Sequence, residues 1–123
     1  PSKLRELAEK AINGLDQILR FMKPGLTGGE VRDSWTKGVA GEDLCKGGHR
    51  LGYSIGLGYP PVWAEHTLSL RLGNKTVLKP NMTFHMPAAA WLEDFGLQTS
   101  ESVRITEDGC EKLAHFPQKL FVK

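Results

Sequence analysis

The chain has 123 residues, of which 40% are hydrophobic and 24% are charged, as is ordinary for one globular domain. Its 16 basic and 14 acidic residues give a formal net charge of +2 and form no run of like sign. Nucleic-acid binding is therefore disfavoured, because it usually requires a clustered basic face.

The sequence shows no sign of a membrane protein. No apolar stretch approaches the roughly 20 residues of a membrane-spanning helix, and no signal peptide is recognisable. Cys45 and Cys110 lie far apart, and we expect two free thiols in a reducing cytosol rather than a disulfide. They also lack the spacing of a zinc site. We predict a cytoplasmic protein, and because the chain begins at Pro1 without an initiator Met, we expect an excised piece of a longer one.

Two helices are predicted in the first third of the chain. Apolar residues recur at steps of three and four from Leu4 to Met22, which indicates a helix of about five turns that Pro24 and Gly25 end. Thr27 and Glu30 then form a T-x-x-E capping box, which predicts the start of a second helix.

Strands are predicted from Gly52 onward, where apolar residues alternate with period two. The predicted strands include residues 52–57, 68–72, 82–86 and 95–105, with turns at 73–74 and 108–109. In the strand 52–57 the even positions hold only Gly or Ser, and such small residues let a ligand or another backbone approach closely. Two helices followed by antiparallel strands indicate an α+β domain.

Glu101 is the first candidate functional residue. It has the same parity as Leu97, Val103 and Ile105, so a regular strand turns its carboxylate toward the apolar side. A buried carboxylate needs a partner, and such groups gather at active sites. A β-bulge that returns Glu101 to the surface is the alternative.

His85 and Trp91 are candidates on the preceding strand. His85 lies on the face opposite Phe84 and Met86, beside small residues 88–90 that would suit the floor of a cleft. Histidine is the side chain best suited to move protons near neutral pH, although a surface or structurally bonded histidine is the alternative. Trp91 is expected either as a pocket wall or as ordinary core.

Glu65 follows the proline-rich segment 59–63, whose prolines keep it extended and suited to wall a pocket. Its carboxylate would then act as base, nucleophile or anchor for a cationic ligand, whereas an exposed loop glutamate is the alternative. The pair His49 and Arg50 is a weaker candidate, for which a solvated loop is the alternative reading.

Taken in order, these motifs resemble those of the pita-bread hydrolases, the superfamily of methionine and Xaa-Pro aminopeptidases, prolidase and creatinase. The similar segments are PGLTGGEV at 24–31, GYSIGL at 52–57, VLKPNMTF at 77–84 and VRITEDG at 103–109. The resemblance implies an α+β pita-bread fold and covers its C-terminal half, with two helices followed by a mainly antiparallel sheet.

Within that superfamily the chain is similar to the ectoine hydrolases, which carry a GYSIGL strand, a YPPxWxE segment and an MTFH strand. These correspond to residues 52–57, 59–65 and 82–85. Ectoine hydrolases open a cyclic amidine ring by adding water, so the resemblance implies a hydrolase of C–N bonds. It also implies that Glu65 engages the cationic amidine.

The sequence departs from the superfamily's metallopeptidases at the positions that the resemblance assigns to metal ligands. Tyr53 stands in the place of a histidine, while Pro87 and Ser100 stand in the places of two glutamates. The strand that supplies two aspartates lies outside the chain. The resemblance therefore implies catalysis without the metal pair and without another cofactor.

We predict that residues 1–123 form one domain of a metal-independent hydrolase acting on a small cyclic amidine such as ectoine. The predicted catalytic residues are Glu65, His85 and Glu101, and the predicted substrate-binding residues are Tyr53, Tyr59, Trp63 and Trp91. We expect these side chains to share one cavity with Tyr53.

Two other functions remain open on the sequence. One is a non-catalytic module that binds peptides or proteins, and the other is an Xaa-Pro peptidase whose metal aspartates lie in a missing segment. Whichever of the three functions applies, the half-domain is expected to expose a sheet edge, and to form a homodimer or pair with the missing N-terminal half. The isolated piece would then lack activity.

Overall fold

The structure, a computed structural model, describes residues 2–38, 50–62 and 64–122, which form two helices followed by five strands. Their bounds are α1 Ser2–Phe21, α2 Gly28–Gly38, β1 Gly52–Ile55, β2 Ala64–Leu70, β3 Thr83–Trp91, β4 Gly96–Ile105 and β5 Cys110–Lys112. This is the predicted α+β order. Several residues named above, including Cys45, His49 and Trp63, lie outside the described residues.

The capping box predicted for the second helix is present. The Glu30 N–H donates to Thr27 Oγ1 at 3.2 Å, and the Thr27 N–H donates to Glu30 Oε2 at 2.7 Å. The hydrogen bond from the Thr27 backbone also lowers the pKa of the Glu30 carboxyl. Two of the otherwise unpaired N–H groups at the start of α2 are thus satisfied by side chains.

The five strands form one antiparallel sheet in the order β2-β1-β3-β4-β5. Strands β3 and β4 form a long hairpin that pairs continuously from Thr83 with Arg104 to Trp91 with Gly96. Strand β2 ends at Leu70, short of the predicted residue 72, because the chain turns at Gly73, where φ is 73°.

Both helices pack against one face of this sheet. The core between them and the sheet includes Leu15, Ile18 and Trp35 from the helices and Phe84, Met86, Val103 and Ile105 from the strands. The small residues of β1 turn toward this core. A Cβ atom at Gly52 would lie 2.7 Å from Met86 Sδ and 2.9 Å from the His85 carbonyl oxygen. The absence of a side chain at Gly52 thus lets β3 and Met86 approach β1 closely.

The structure also bears on the predicted free thiols and on the expected lack of a membrane-spanning helix. Cys110 is a free thiol, as expected, and burial raises its pKa to about 11. Its Sγ donates a hydrogen bond of 2.9 Å to the Leu19 carbonyl, so it has a structural place under α1. Within the part of the chain that the structure describes, neither helix is long and apolar enough to cross a membrane.

Candidate functional site

A cavity of about 300 Å³ opens on the face of the sheet that the helices leave uncovered. Its lining residues are Arg50, Tyr53, His85, Pro87, Ala89, Trp91 and Gln98. They come from the start of β1, from alternate positions of β3 and from β4, so the period-two alternation of the strands brings them to one face. The volume suits a small metabolite. We call this the open-face cavity.

Tyr53 and His85 are joined by a hydrogen bond at the centre of this lining. They are directly opposite each other on β1 and β3, and Tyr53 Oη lies 2.8 Å from His85 Nδ1. Their rings meet edge to face, with centroids 5.2 Å apart. Partial burial lowers the pKa of His85 below its ordinary value of 6.5, which favours the neutral imidazole. A neutral imidazole held in one orientation by a phenol can accept a proton from a bound substrate or water.

Arg50 is a weak candidate from the sequence alone, yet the structure places it against Tyr53. Its guanidinium carbon lies 4.3 Å from the centroid of the Tyr53 ring, within cation–π distance. The signal that pointed to it was its position just before the glycine-rich strand. Gln98 lines the same cavity and was not singled out by any pattern. His49, which precedes Arg50 in the sequence, lies outside the described residues.

The predicted aromatic residues fall into different places. Trp91 is 55% exposed and lines the open-face cavity, so it forms a wall of this cavity instead of joining the core. Gly96 lies across from it and lets β4 pass the indole, since a Cβ there would overlap the Trp91 ring. Tyr59 is 79% exposed and is not part of the cavity lining. Trp63 lies outside the described residues.

Glu101 lies on the core face, as its parity predicted, and the bulge alternative is wrong. It is 5% exposed and sits opposite Met86. Its Oε2 accepts a hydrogen bond from Gln118 Nε2 at 3.2 Å, and its Oε1 accepts one from the Ser102 N–H at 3.1 Å. The expectation that Glu101 shares a cavity with Tyr53 is therefore wrong, because the two side chains occupy opposite faces of the sheet.

Glu65 also lies away from the open-face cavity. Its Oε1 accepts a hydrogen bond from the Leu57 N–H at 2.9 Å, and it lines a separate cavity of about 210 Å³ with Ser54, Thr67 and Thr83 among others. Strand β2 runs antiparallel to β1, and Ser69 pairs with Tyr53 whereas Ala64 pairs with Ile55 at the end of β1, with an irregular register between the two pairs. This register separates Glu65 from Tyr53, and the expectation of a cavity shared by the two is wrong as well.

The three positions that the resemblance assigns to metal ligands lie on three neighbouring strands, β1, β3 and β4. Pro87 and Ser100 are directly opposite each other on β3 and β4, and Tyr53 lines the same cavity as Pro87. They offer a hydroxyl, a phenol and no carboxylate. Among residues 2–38, 50–62 and 64–122, no group of three or more His, Cys, Asp or Glu side chains is arranged to hold a metal ion. The residues described here thus do not fit a dinuclear metal site, which requires several carboxylates.

Comparison with known proteins agrees with this fold. The profile of metallopeptidase family M24 matches residues 1–108. An ectoine hydrolase of Halomonas elongata is 42% identical over all of this chain and 31% of its own length. An uncharacterized hydrolase/peptidase of Sinorhizobium fredii is 36% identical over all of this chain, again 31% of its own. The X-Pro aminopeptidase of Thermotoga maritima superposes with a TM-score of 0.86 and 25% identity over all of this chain and 34% of that one.

The chain therefore spans 31% of the length of the curated relatives it matches. The similarity nevertheless runs through the segments that build the open-face cavity, since it covers the whole chain. Its α+β architecture is that of the matched aminopeptidase.

Proposed function

The chain belongs to metallopeptidase family M24, and from this premise we propose that the whole protein hydrolyses a C–N bond in a small cyclic amidine such as ectoine. The identity of 42% to an ectoine hydrolase supports this substrate class. The open-face cavity of about 300 Å³ has the size for such a molecule.

We further propose that the reaction needs no metal pair. The observation that carries this proposal is the 2.8 Å hydrogen bond between Tyr53 Oη and His85 Nδ1. It occupies the place where the resemblance would put a metal-binding histidine, and Pro87 and Ser100 fill the places of the glutamates. A phenol bonded to an imidazole is a proton-transfer pair, whereas proline supplies no ligand at all.

In the proposed reaction water adds to the amidine carbon, where a C–O bond forms. One C–N bond of the ring then breaks, and the proton lost by water is delivered to the departing nitrogen, which leaves an amide and an amine. His85 is the proposed proton carrier. When its Nδ1–H donates to Tyr53 Oη, the lone pair of Nε2 remains available to take the proton from water. Glu65 and Glu101 are not assigned a step in this transfer, since neither is among the described residues that line the open-face cavity.

The open-face cavity lies at the surface of this chain and is open to a partner. We propose that the open-face cavity is completed by another part of the whole protein or by a second copy of the chain. The support is that the cavity lies on the face left bare by the helices. Sedimentation of the whole protein, with and without substrate, distinguishes a monomer from a dimer.

The experiment uses the whole protein and follows the appearance of the ring-opened product of ectoine. We expect turnover to persist after treatment with a chelator, and to fall about 100-fold or more in His85→Gln. His115→Asn is the matched control, since His115 is exposed and lies outside the cavity lining. Turnover of the control should be unchanged.

Other results would replace the proposal. Stoichiometric manganese, cobalt or zinc, with activity lost on chelation, would overturn the metal-free reaction. Hydrolysis of Xaa-Pro dipeptides without ring-opening of ectoine would favour the peptidase. Peptide binding with no turnover of either substrate would favour the binding module.

A further inference from the structure

We propose that Arg50 binds the carboxylate of the substrate, which narrows the proposed function to cyclic amidines that carry a carboxylate group. The inference rests on the proposed function, because it concerns the same cavity. It adds a specificity residue and a requirement on the substrate that membership of the family does not supply.

The first observation is the way Arg50 is held. Its guanidinium lies over the face of the Tyr53 ring at 4.3 Å, and Tyr53 is in turn held by its hydrogen bond to His85. A contact with the ring face leaves the N–H groups at the edge of the guanidinium plane free to donate. That edge matches the two oxygens of a carboxylate, which it can bind with two parallel hydrogen bonds.

The second observation is the charge of the cavity. Among the described lining residues no other Arg or Lys and no Asp or Glu is present, and burial lowers the pKa of His85, which favours its neutral form. In the described part of the chain Arg50 makes no ion pair with a carboxylate. A half-buried guanidinium beside aromatic walls carries a positive potential that attracts an anionic group.

The charge of the proposed substrate gives a further argument for a contact between Arg50 and a carboxylate. An amidine is cationic at neutral pH, and a cation entering this cavity meets the positive charge of Arg50. A carboxylate on the same molecule removes that repulsion and gains the paired hydrogen bonds. Gln98 and Trp91 lie along the same wall, where an amide and an indole suit an uncharged ring. The cavity thus selects a zwitterion over a simple cation.

The test compares ectoine with the same cyclic amidine lacking the carboxylate, using the whole protein and its Arg50→Gln and Arg50→Lys variants. We expect the wild-type protein to prefer ectoine by about 100-fold in kcat/KM, since a bidentate charged pair is lost with the carboxylate. In Arg50→Gln the KM for ectoine should rise about 30-fold with kcat changed much less, and the preference should disappear. Arg50→Lys should retain part of the preference for ectoine, because lysine keeps the positive charge but lacks the planar guanidinium that donates two parallel hydrogen bonds.

The control is Arg71→Gln, which removes an exposed arginine at the end of β2 and should leave both substrates unaffected. Thermal unfolding of each variant shows whether the fold survives the change. If Arg50→Gln lowers kcat/KM equally for both amidines, or leaves the preference intact, Arg50 does not bind the carboxylate, while ring-opening by the wild type still stands. If the wild type neither binds nor turns over ectoine by calorimetry and product assay, the proposed function and this inference both fall.

Discussion

His85 and Glu101 lie one register position apart on neighbouring strands, yet their side chains occupy opposite faces of the sheet. His85 pairs with Ser102 and Met86 pairs with Glu101. The imidazole therefore lies beside Tyr53 in the open-face cavity, while the carboxylate is buried on the other face, where Gln118 donates a hydrogen bond to it. Two residues that the sequence predicted as partners in catalysis are separated by the thickness of one backbone.

The placement of Glu101 leads to the first prediction. Glu101→Gln should change kcat/KM of the whole protein less than threefold, because the side chain contacts Gln118 and not the cavity. His85→Gln should lower it about 100-fold or more by removing the proton carrier. The measurement is the initial rate of ectoine ring-opening. Equal large losses in both variants would return Glu101 to the mechanism.

Tyr53→Phe is expected to weaken the reaction without changing the fold. It removes one hydrogen bond to His85, worth about 0.5–1.5 kcal/mol, so kcat/KM should fall by a factor between about 2 and about 13. Phenylalanine keeps the ring on which Arg50 stacks, so KM for ectoine should stay nearly constant. A rise in KM with unchanged kcat would show that the hydroxyl binds substrate and does not position His85.

The pH dependence follows from the sign of the His85 shift. Burial disfavours the imidazolium, so the folded pKa lies below the ordinary value of 6.5. The activity that needs neutral His85 should persist as the pH falls to 6.5, and should decline only below it. Because the folded state then binds fewer protons than the unfolded state, the free energy of unfolding should also decrease below that pH. A pH–rate profile and urea unfolding at several pH values measure both effects. An acid limb above pH 6.5 would contradict the expectation.

Gly52→Ala should be clearly destabilising. The added methyl group would lie 2.9 Å from the His85 carbonyl oxygen and 2.7 Å from Met86 Sδ, and the carbonyl belongs to the ladder of β3. Overpacking of this kind costs about 1–3 kcal/mol in the free energy of unfolding, measured by chemical denaturation. Gly38→Ala is the control, since its methyl would meet only the flexible end of Gln17 at 2.9 Å. A loss no larger than that of the control would show that β1 can shift.

Thr27→Ala should reduce the free energy of unfolding by about 1 kcal/mol, because the hydroxyl of the capping box is lost. Glu30→Gln is the paired variant and should cost less, since glutamine serves at this position of a capping box. Both are measured by denaturation of the whole protein. A greater loss for Glu30→Gln would mean that the charge near the helix start matters more than the cap.

Local sequence patterns were sufficient to predict the order of helices and strands and the sheet face on which a strand residue lies. The T-x-x-E motif predicted the cap of α2 down to its two hydrogen bonds, because the partners are three residues apart. The parity of Glu101 predicted its burial, since alternation is a property of the strand itself. Resemblance of ordered motifs was enough to assign the family.

Only the tertiary structure decided which candidates share a site. The register of β1 against β2 and β3 sets Tyr53 beside His85 and carries Glu65 away, and no local pattern encodes that register. The contact of Arg50 with the Tyr53 ring likewise depends on the direction in which the chain enters β1. The sequence by itself determined the family, the order of helices and strands and the face of each strand residue, because these depend on neighbours along the chain. The grouping of side chains into one cavity depends on contacts between strands far apart in sequence, and packing alone settles those.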